Sequence, residues 1–315
     1  MRGLVLANCD YLKHTSTEGN ELQEGLRSAG WDLAGPGYDG IRNVGALLDR
    51  YQPTHVFVQD VRDWLPDSNI SFRKDLGFEH VELLGESGIP CFTVIKDAWG
   101  WQKEQSAIAK QINAAGIACY YRSEMVREVA PWIAKYPLLR IHHSVDADVI
   151  RPILQERGAR RDALVSGFLQ PCYPIREMAF KHAARLGLDV LKHPGYGNRG
   201  ADTPNYLGRL AGYKVHLATS SQWGCAFRKI IESVACGMTP ITNLPASDVL
   251  PEIDGALCRI PSNIAHSDLG FVIRDQVAVW KEEERMYWAE KALAYYDWRT
   301  SGERFSRLME NHVRN

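Results

Sequence analysis

Short apolar runs recur along the first half of the chain, each separated from the next by a segment with helical spacing. They are Leu4-Val5-Leu6, Val56-Phe57-Val58, Cys91-Phe92-Thr93-Val94-Ile95 and Ile117-Ala118-Cys119-Tyr120. A strand that is apolar on both faces must be covered on both faces, and parallel strands need a crossover of about a dozen residues or more. This alternation therefore confines the chain to α/β architecture, a parallel sheet with helices packed on it. The pattern predicts strands over residues 3–7, 55–59, 91–95, 117–121 and 138–141. It predicts helices over 17–29, 40–51, 72–87, 103–115 and 123–135, the first opened by the capping box Thr15-Ser16-Thr17-Glu18.

The second half repeats the alternation. Strands are expected over 163–167, 214–218, 240–242, 247–250 and 256–260, with helices over 177–186, 205–212 and the segment leading to Gly237, and the glycines within 188–197 mark a loop. An amphipathic segment follows over 267–294, and a last helix opens at 295–300. A chain of 315 residues is long for one domain and fits two of roughly 150 residues each. The expected division is 1–145, a polar linker over 146–162, a second domain over 163–294, and a closing helix over 295–315.

Composition excludes several classes of function. A formal net charge of −1 offers no field for nucleic acid or an anionic membrane. No apolar run reaches the length of about 18 residues that spans a bilayer, so the expected location is the cytoplasm. Seven cysteines, an odd number without a CxxC pair, read as reduced thiols packed as small apolar groups. The loop after the first strand lacks Gly-x-Gly-x-x-Gly, which argues against a dinucleotide dehydrogenase.

The chemistry concentrates between Trp223 and Thr242. Phe227, Ile230, Ile231 and Val234 form the apolar stripe of a helix, which Gly237 and Pro240 terminate. Arg228 and Glu232 share one face at i and i+4. A cation at the helix start and a carboxylate one turn later suit a nucleoside diphosphate, the cation meeting phosphate and the carboxylate a ribose diol. The same spacing also suits an ordinary surface ion pair, and the residues alone leave both readings open.

Glu232-Ser233-Val234-Ala235-Cys236-Gly237-Met238-Thr239-Pro240-Ile241 resembles the Glu-x-x-Ala-Cys-Gly-x-Pro-Val signature of GT-B glycosyltransferases, with one residue inserted before the proline. The nearest in style are the retaining nucleotide-sugar enzymes and the spore-maturation-type glycosyltransferases, whose Tyr-Pro-x-Arg is matched by Tyr173-Pro174-Ile175-Arg176. Residues 142–152 resemble the link between the two domains of that family. The resemblance implies two Rossmann-like domains with parallel sheets facing across a cleft, an acceptor domain first and a donor domain second. The closing helix would cross back to the first domain.

The resemblance also implies roles. Glu232 would hold the donor ribose, and Gly224 stands where the family has a sugar-binding glutamate. Arg228, Arg176 and the backbone of 221–225, with Ser221, Gly224 and Cys225, would offset charge on the leaving diphosphate. No metal and no further cofactor would then be required. Gly167 would let backbone approach the ligand, and Tyr196 would stack on the base. Asp97 would orient the acceptor hydroxyl, with Lys96 facing a phosphate or sugar oxygen, although Asp97 equally fits a turn or helix cap. The implied activity is sugar transfer from a UDP or GDP carrier, by a retaining route or with Asp97 as an inverting base. The alternatives are a non-catalytic nucleotide-sugar binding module and a glycosyltransferase acting on modified DNA bases, the latter disfavoured by charge.

Overall fold

The computed structural model describes residues 2–6, 17–36, 38–58, 78–95, 98–192 and 203–314. The chain divides into two compact units, Met1–His142 with Trp298–Asn315, and His143–Asp297.

The first unit is built on β1 (Gly3–Leu6), α1 (Thr17–Ser28), β2 (Asp32–Ala34), α2 (Val44–Tyr51), β3 (His55–Val58), α3 (Glu82–Glu86), β4 (Cys91–Ile95), α4 (Gln102–Gln111), β5 (Gly116–Cys119), α5 (Ser123–Val129) and β6 (Leu138–Arg140). The strands form one sheet in the order β2-β1-β3-β4-β5-β6, every pair parallel. The apolar runs fill it, and β1 and β4 are buried along their whole length. β2 was not expected. It is a three-residue edge strand with Asp32 exposed and Leu33 half-buried, and so lacks the apolar run that marks its neighbours. The helix expected over 123–135 breaks because Pro131 has no N–H to continue it, and Pro131–Lys135 forms a 3-10 turn instead.

The second unit begins at His143 and takes in the whole stretch expected as a linker, 146–162. Asp146 accepts hydrogen bonds from the N–H of Asp148 (2.9 Å) and Val149 (3.3 Å), which caps α6 (Ala147–Glu156). Ile150 and Leu154 of that helix are buried in the unit's core. There follow β7 (Arg161–Gly167), α7 (Pro174–Lys181), α8 (Ala183–Leu186), β8 (Asp189–Lys192), α9 (Thr203–Ala211), β9 (Tyr213–Leu217), α10 (Arg228–Ala235), β10 (Thr239–Thr242), β11 (Cys258–Arg259), α11 (His266–Val279) and α12 (Glu282–Tyr296). This sheet runs β11-β10-β9-β7-β8, again parallel throughout.

Residues 247–250 are not a strand. Arg259 gathers the carbonyls of Leu244, Pro245 and Asp248 and the Asp254 carboxylate around a turn there. The amphipathic segment over 267–294 is two helices, α11 and α12, separated at Trp280.

The stripe read on α10 is the one that packs. Ile230, Ile231 and Val234 are at most 1 % exposed, and each contributes about 1.5–3 kcal/mol by leaving water. Gly237 ends the helix at φ 73°, with Gly237 N–H bonded to Val234 O and Met238 N–H to Ser233 O, both 2.9 Å.

The final helix, α13 (Trp298–Arg314), belongs to the first unit. Gly302 has no room for a side chain against the backbone of Gly25 on α1, so the two helices cross closely. Trp31 Nε1 donates to Ser306 Oγ (2.9 Å), Phe305 meets Phe57 edge-on at 5.1 Å, and His312 Nε2 bonds Ala115 O (3.1 Å). No described helix is long and apolar enough to cross a membrane.

Candidate functional site

In the second unit β8 lies on one side of β7, while β9 and the later strands lie on the other. The loops leaving the carboxyl ends of β7 and β9 therefore diverge, and that crevice is where open parallel sheets bind ligands. Here the loops are also tied together. Gln222 N–H donates to Cys172 O (2.8 Å), Tyr173 meets Phe227 edge-on at 5.8 Å, and Ser220 N–H donates to Asn243 Oδ1 (2.8 Å) beyond β10.

Arg176 is buried at 2 % exposure. Its donors go to Phe168 O (2.8 Å), Thr219 Oγ1 (3.3 Å) and Thr219 O (3.2 Å), and its guanidinium lies 3.9 Å from the centre of the Tyr173 ring. Pro174 at the start of α7 and Tyr173 before it thus place Arg176 as a clamp between the β7 and β9 loops. Expected as a phosphate ligand, it instead spends its planar donors on the protein and supplies charge from behind the surface. Burial pulls it below the ordinary arginine value.

Lys229 is the residue the sequence reading missed. Gly167 adopts φ 116°, and a Cβ there would run into Lys229 Nζ and sit 3.2 Å from Arg176 Nη1. The side chain Gly167 lacks, expected to leave room for a ligand, leaves room for the Lys229 amine and the Arg176 guanidinium. Lys229 is half-buried. Burial and the Arg176 charge hold its ammonium well below the lysine range, against a weaker opposing pull from Glu232. Among the described residues, neither Arg176 nor Lys229 forms an ion pair with a carboxylate. A guanidinium and an amine held in one crevice, neither ion-paired to a carboxylate among the described residues, suit an anion.

The start of α10 adds to it. Phe227, at the N-cap, makes no side-chain capping bond, so the first-turn N–H groups and the positive end of the helix dipole face the same loop. Arg228 and Glu232, expected to open toward one ligand, hold each other, Nε to Oε1 at 2.8 Å, both nearly buried.

Behind these lies a buried chain of hydrogen bonds: Tyr206 Oη to Ser166 Oγ (3.3 Å), Ser166 Oγ to His216 Nε2 (2.8 Å), His216 Nδ1 to Ser233 Oγ (2.6 Å), and Ser233 Oγ to Lys229 O (2.5 Å). Burial, with Lys229 and Arg176 nearby, pushes His216 well below its usual value, so the ring is neutral. Ser233 gives its proton to Lys229 O. It must then accept from His216 Nδ1–H, which leaves Nε2 to accept from Ser166. The chain fixes the first turn of α10 against β7, β9 and α9.

The other expected residues fall as follows. Ser221 is buried, its Oγ accepting from Trp223 N–H (3.3 Å) and its carbonyl from Gly224 N–H (3.0 Å), so it shapes a turn. Gly224 takes φ 67° in that turn, and Cys225 is fully buried. Lys96, Asp97 and Tyr196 lie outside the described residues. No cluster of three or more His, Cys, Asp or Glu suited to a metal occurs among the described residues.

No protein-family model matches the sequence, and no curated protein matches it. Solved structures do match. The Anabaena protein HepE, crystallised with UDP and glucose, aligns with a TM-score of 0.54 at 11% identity over 99% of this chain and 100% of that one. A glycosyltransferase from Rickettsia africae aligns with a TM-score of 0.52 at 8% identity over 100% of this chain and 99% of that one. At these identities the likeness is one of fold. The chain has the GT-B fold, two Rossmann-like α/β domains on parallel sheets of six and five strands.

Proposed function

We propose that the chain is a glycosyltransferase that moves a sugar from a nucleoside diphosphate carrier to an acceptor, with the diphosphate seated between Lys229 Nζ and the open start of α10. The observation that carries this reading is the convergence of Lys229 and Arg176 on Gly167 at the β7–β9 crevice, with no ion pair to a carboxylate from either among the described residues and only a weaker pull from Glu232 on Lys229. The GT-B fold supports it, because HepE, with the same fold, was crystallised with UDP and glucose.

Glu232 holds the ribose. Arg228 fixes one carboxylate oxygen and thereby aims the other. As the bond from sugar to phosphate breaks, negative charge grows on the leaving diphosphate. Preorganised donors at that point lower the barrier, each worth about 3 kcal/mol in comparable sites. Lys229 and the helix start fill this role, which makes the reaction metal-independent. The leaving oxygen takes the acceptor's proton in a retaining route, with Asp97 and Lys96 on the acceptor side and Tyr196 against the base. UDP and GDP are the preferred carriers.

A second reading, a non-catalytic nucleotide-sugar binding module, is favoured by one observation. Gly224 stands where the resembling family has its sugar-binding glutamate, and it makes only a turn. A panel of UDP-, GDP-, ADP- and TDP-sugars by thermal shift identifies the carrier, since binding stabilises only the folded form. Release of radiolabelled sugar from that carrier then separates transferase from binding module. A thermal shift with no turnover across many acceptors supports the second reading, and no shift with any carrier refutes both. Strongly salt-dependent duplex binding would instead point to a DNA-base acceptor.

A further inference from the structure

Lys229 and Arg176 press two cationic groups against one glycine. Arg176 arrives from α7, and its donors are spent on Phe168 and Thr219. The groups facing Lys229 are Arg176 on α7, His216 on β9 and Glu232 one turn along its own helix. His216 is neutral, and Glu232 Oε1 is already bonded to Arg228. Tyr206 on α9 stands near Glu232 and keeps its phenolic proton, because burial and that carboxylate push it up. A guanidinium does not release its proton inside a protein, so of the two cations it is the amine that yields.

We propose that carrier binding is coupled to protonation of Lys229: the amine is uncharged in the free protein and takes one proton from solvent as the diphosphate arrives. This rests on the reading of the site as one for a nucleoside diphosphate sugar. The lone pair of Nζ forms one new N–H bond, buffer supplies the proton, and no other bond changes. Burial and the Arg176 charge favour the neutral amine. A bound diphosphate outweighs that charge and favours the ammonium.

Titration calorimetry of UDP-glucose into the full chain at about pH 8, in buffers of different ionisation enthalpy, counts the protons. Wild type takes up about one proton per UDP-glucose bound, and Lys229→Arg, permanently charged, binds with almost none. The wild-type Kd rises by up to about tenfold per pH unit between about pH 7 and 9, where the diphosphate diester does not titrate. Binding with no buffer dependence and a flat Kd overturns the proposal and leaves the site reading intact. So does an equal proton uptake by Lys229→Arg. If Lys229→Arg does not bind, the wild-type slope decides alone. Failure of wild type to bind UDP-, GDP-, ADP- or TDP-glucose overturns the site reading and this proposal together.

Discussion

Two of the arginine side chains buried in the second unit, Arg160 and Arg176, lie near opposite ends of β7, and they are answered differently. Arg160, beside the start of β7, donates to the carbonyls of Ala211 (2.7 Å), Tyr213 (3.0 Å) and Cys236 (3.0 Å), and has Glu282 Oε2 at 3.4 Å and the Trp280 ring beneath it. Ala211 and Cys236 are helix C-terminal residues, the negative ends of α9 and α10, so this cation is neutralised where it stands. Arg176, beyond the other end of β7, also donates to carbonyls. Its neighbours, however, are the Lys229 amine and the positive end of α10. A buried charge that the fold balances holds the fold. One that the fold leaves unbalanced is available to a ligand.

Replacing each arginine separates these roles most strongly. Arg160→Met strands three carbonyl acceptors and should cost about 3 kcal/mol or more in urea unfolding, with the donor affinity of the folded fraction unchanged. Arg176→Met should lower both stability and affinity, because the clamp and the charge are the same group. An affinity loss of equal size in the Arg160 variant would erase the distinction.

Lys229→Met comes next. It should weaken UDP-glucose binding about 10–100-fold, as expected for one charge-assisted contact to phosphate. A lysine held below its unfolded value destabilises the fold at every pH below about 10.4, since the unfolded chain binds the proton more readily. The same substitution should therefore raise the unliganded melting temperature, by about 1 kcal/mol of stability. A variant that melts lower and still binds would contradict both effects.

The pH dependence of folding tests His216. Its folded value lies below the unfolded one, so its contribution is full above about pH 6.5 and is lost as pH falls from there, at up to about 1.4 kcal/mol per unit. The urea midpoint of wild type should drop between about pH 7 and 5.5 more than that of His216→Gln. Equal drops would mean that carboxylates alone carry the acid sensitivity. Smallest of all, Tyr206→Phe removes the donor to Ser166 and should cost about 1 kcal/mol, with a minor change in affinity.

Much of this was legible in the sequence because hydrophobic burial in a parallel sheet writes itself as apolar runs. β1, β3, β4, β5 and the α10–Gly237–β10 passage were read from such runs. β2, short and at a sheet edge, buries too little to leave a mark, whereas β11, equally at an edge, falls inside the run over 256–260 but forms only at Cys258–Arg259. The Arg228–Glu232 spacing was read as one face, but periodicity cannot say whether two charges turn to each other or to a ligand. Lys229 carried a signal, a second cation at a helix start directly after Arg228. Its meaning depends on the φ of Gly167, sixty-two positions earlier, and on Arg176 arriving from α7. Long-range convergence of that kind has no sequence period.

The rest depends on a diphosphate binding at the Lys229 amine beside Gly167. A crystal of the full chain soaked with UDP-glucose reads it directly: the account predicts diphosphate oxygens at about 3 Å from Lys229 Nζ, beyond the carboxyl ends of β7 and β9. A diphosphate bound elsewhere, with Lys229 facing bulk water, would contradict it.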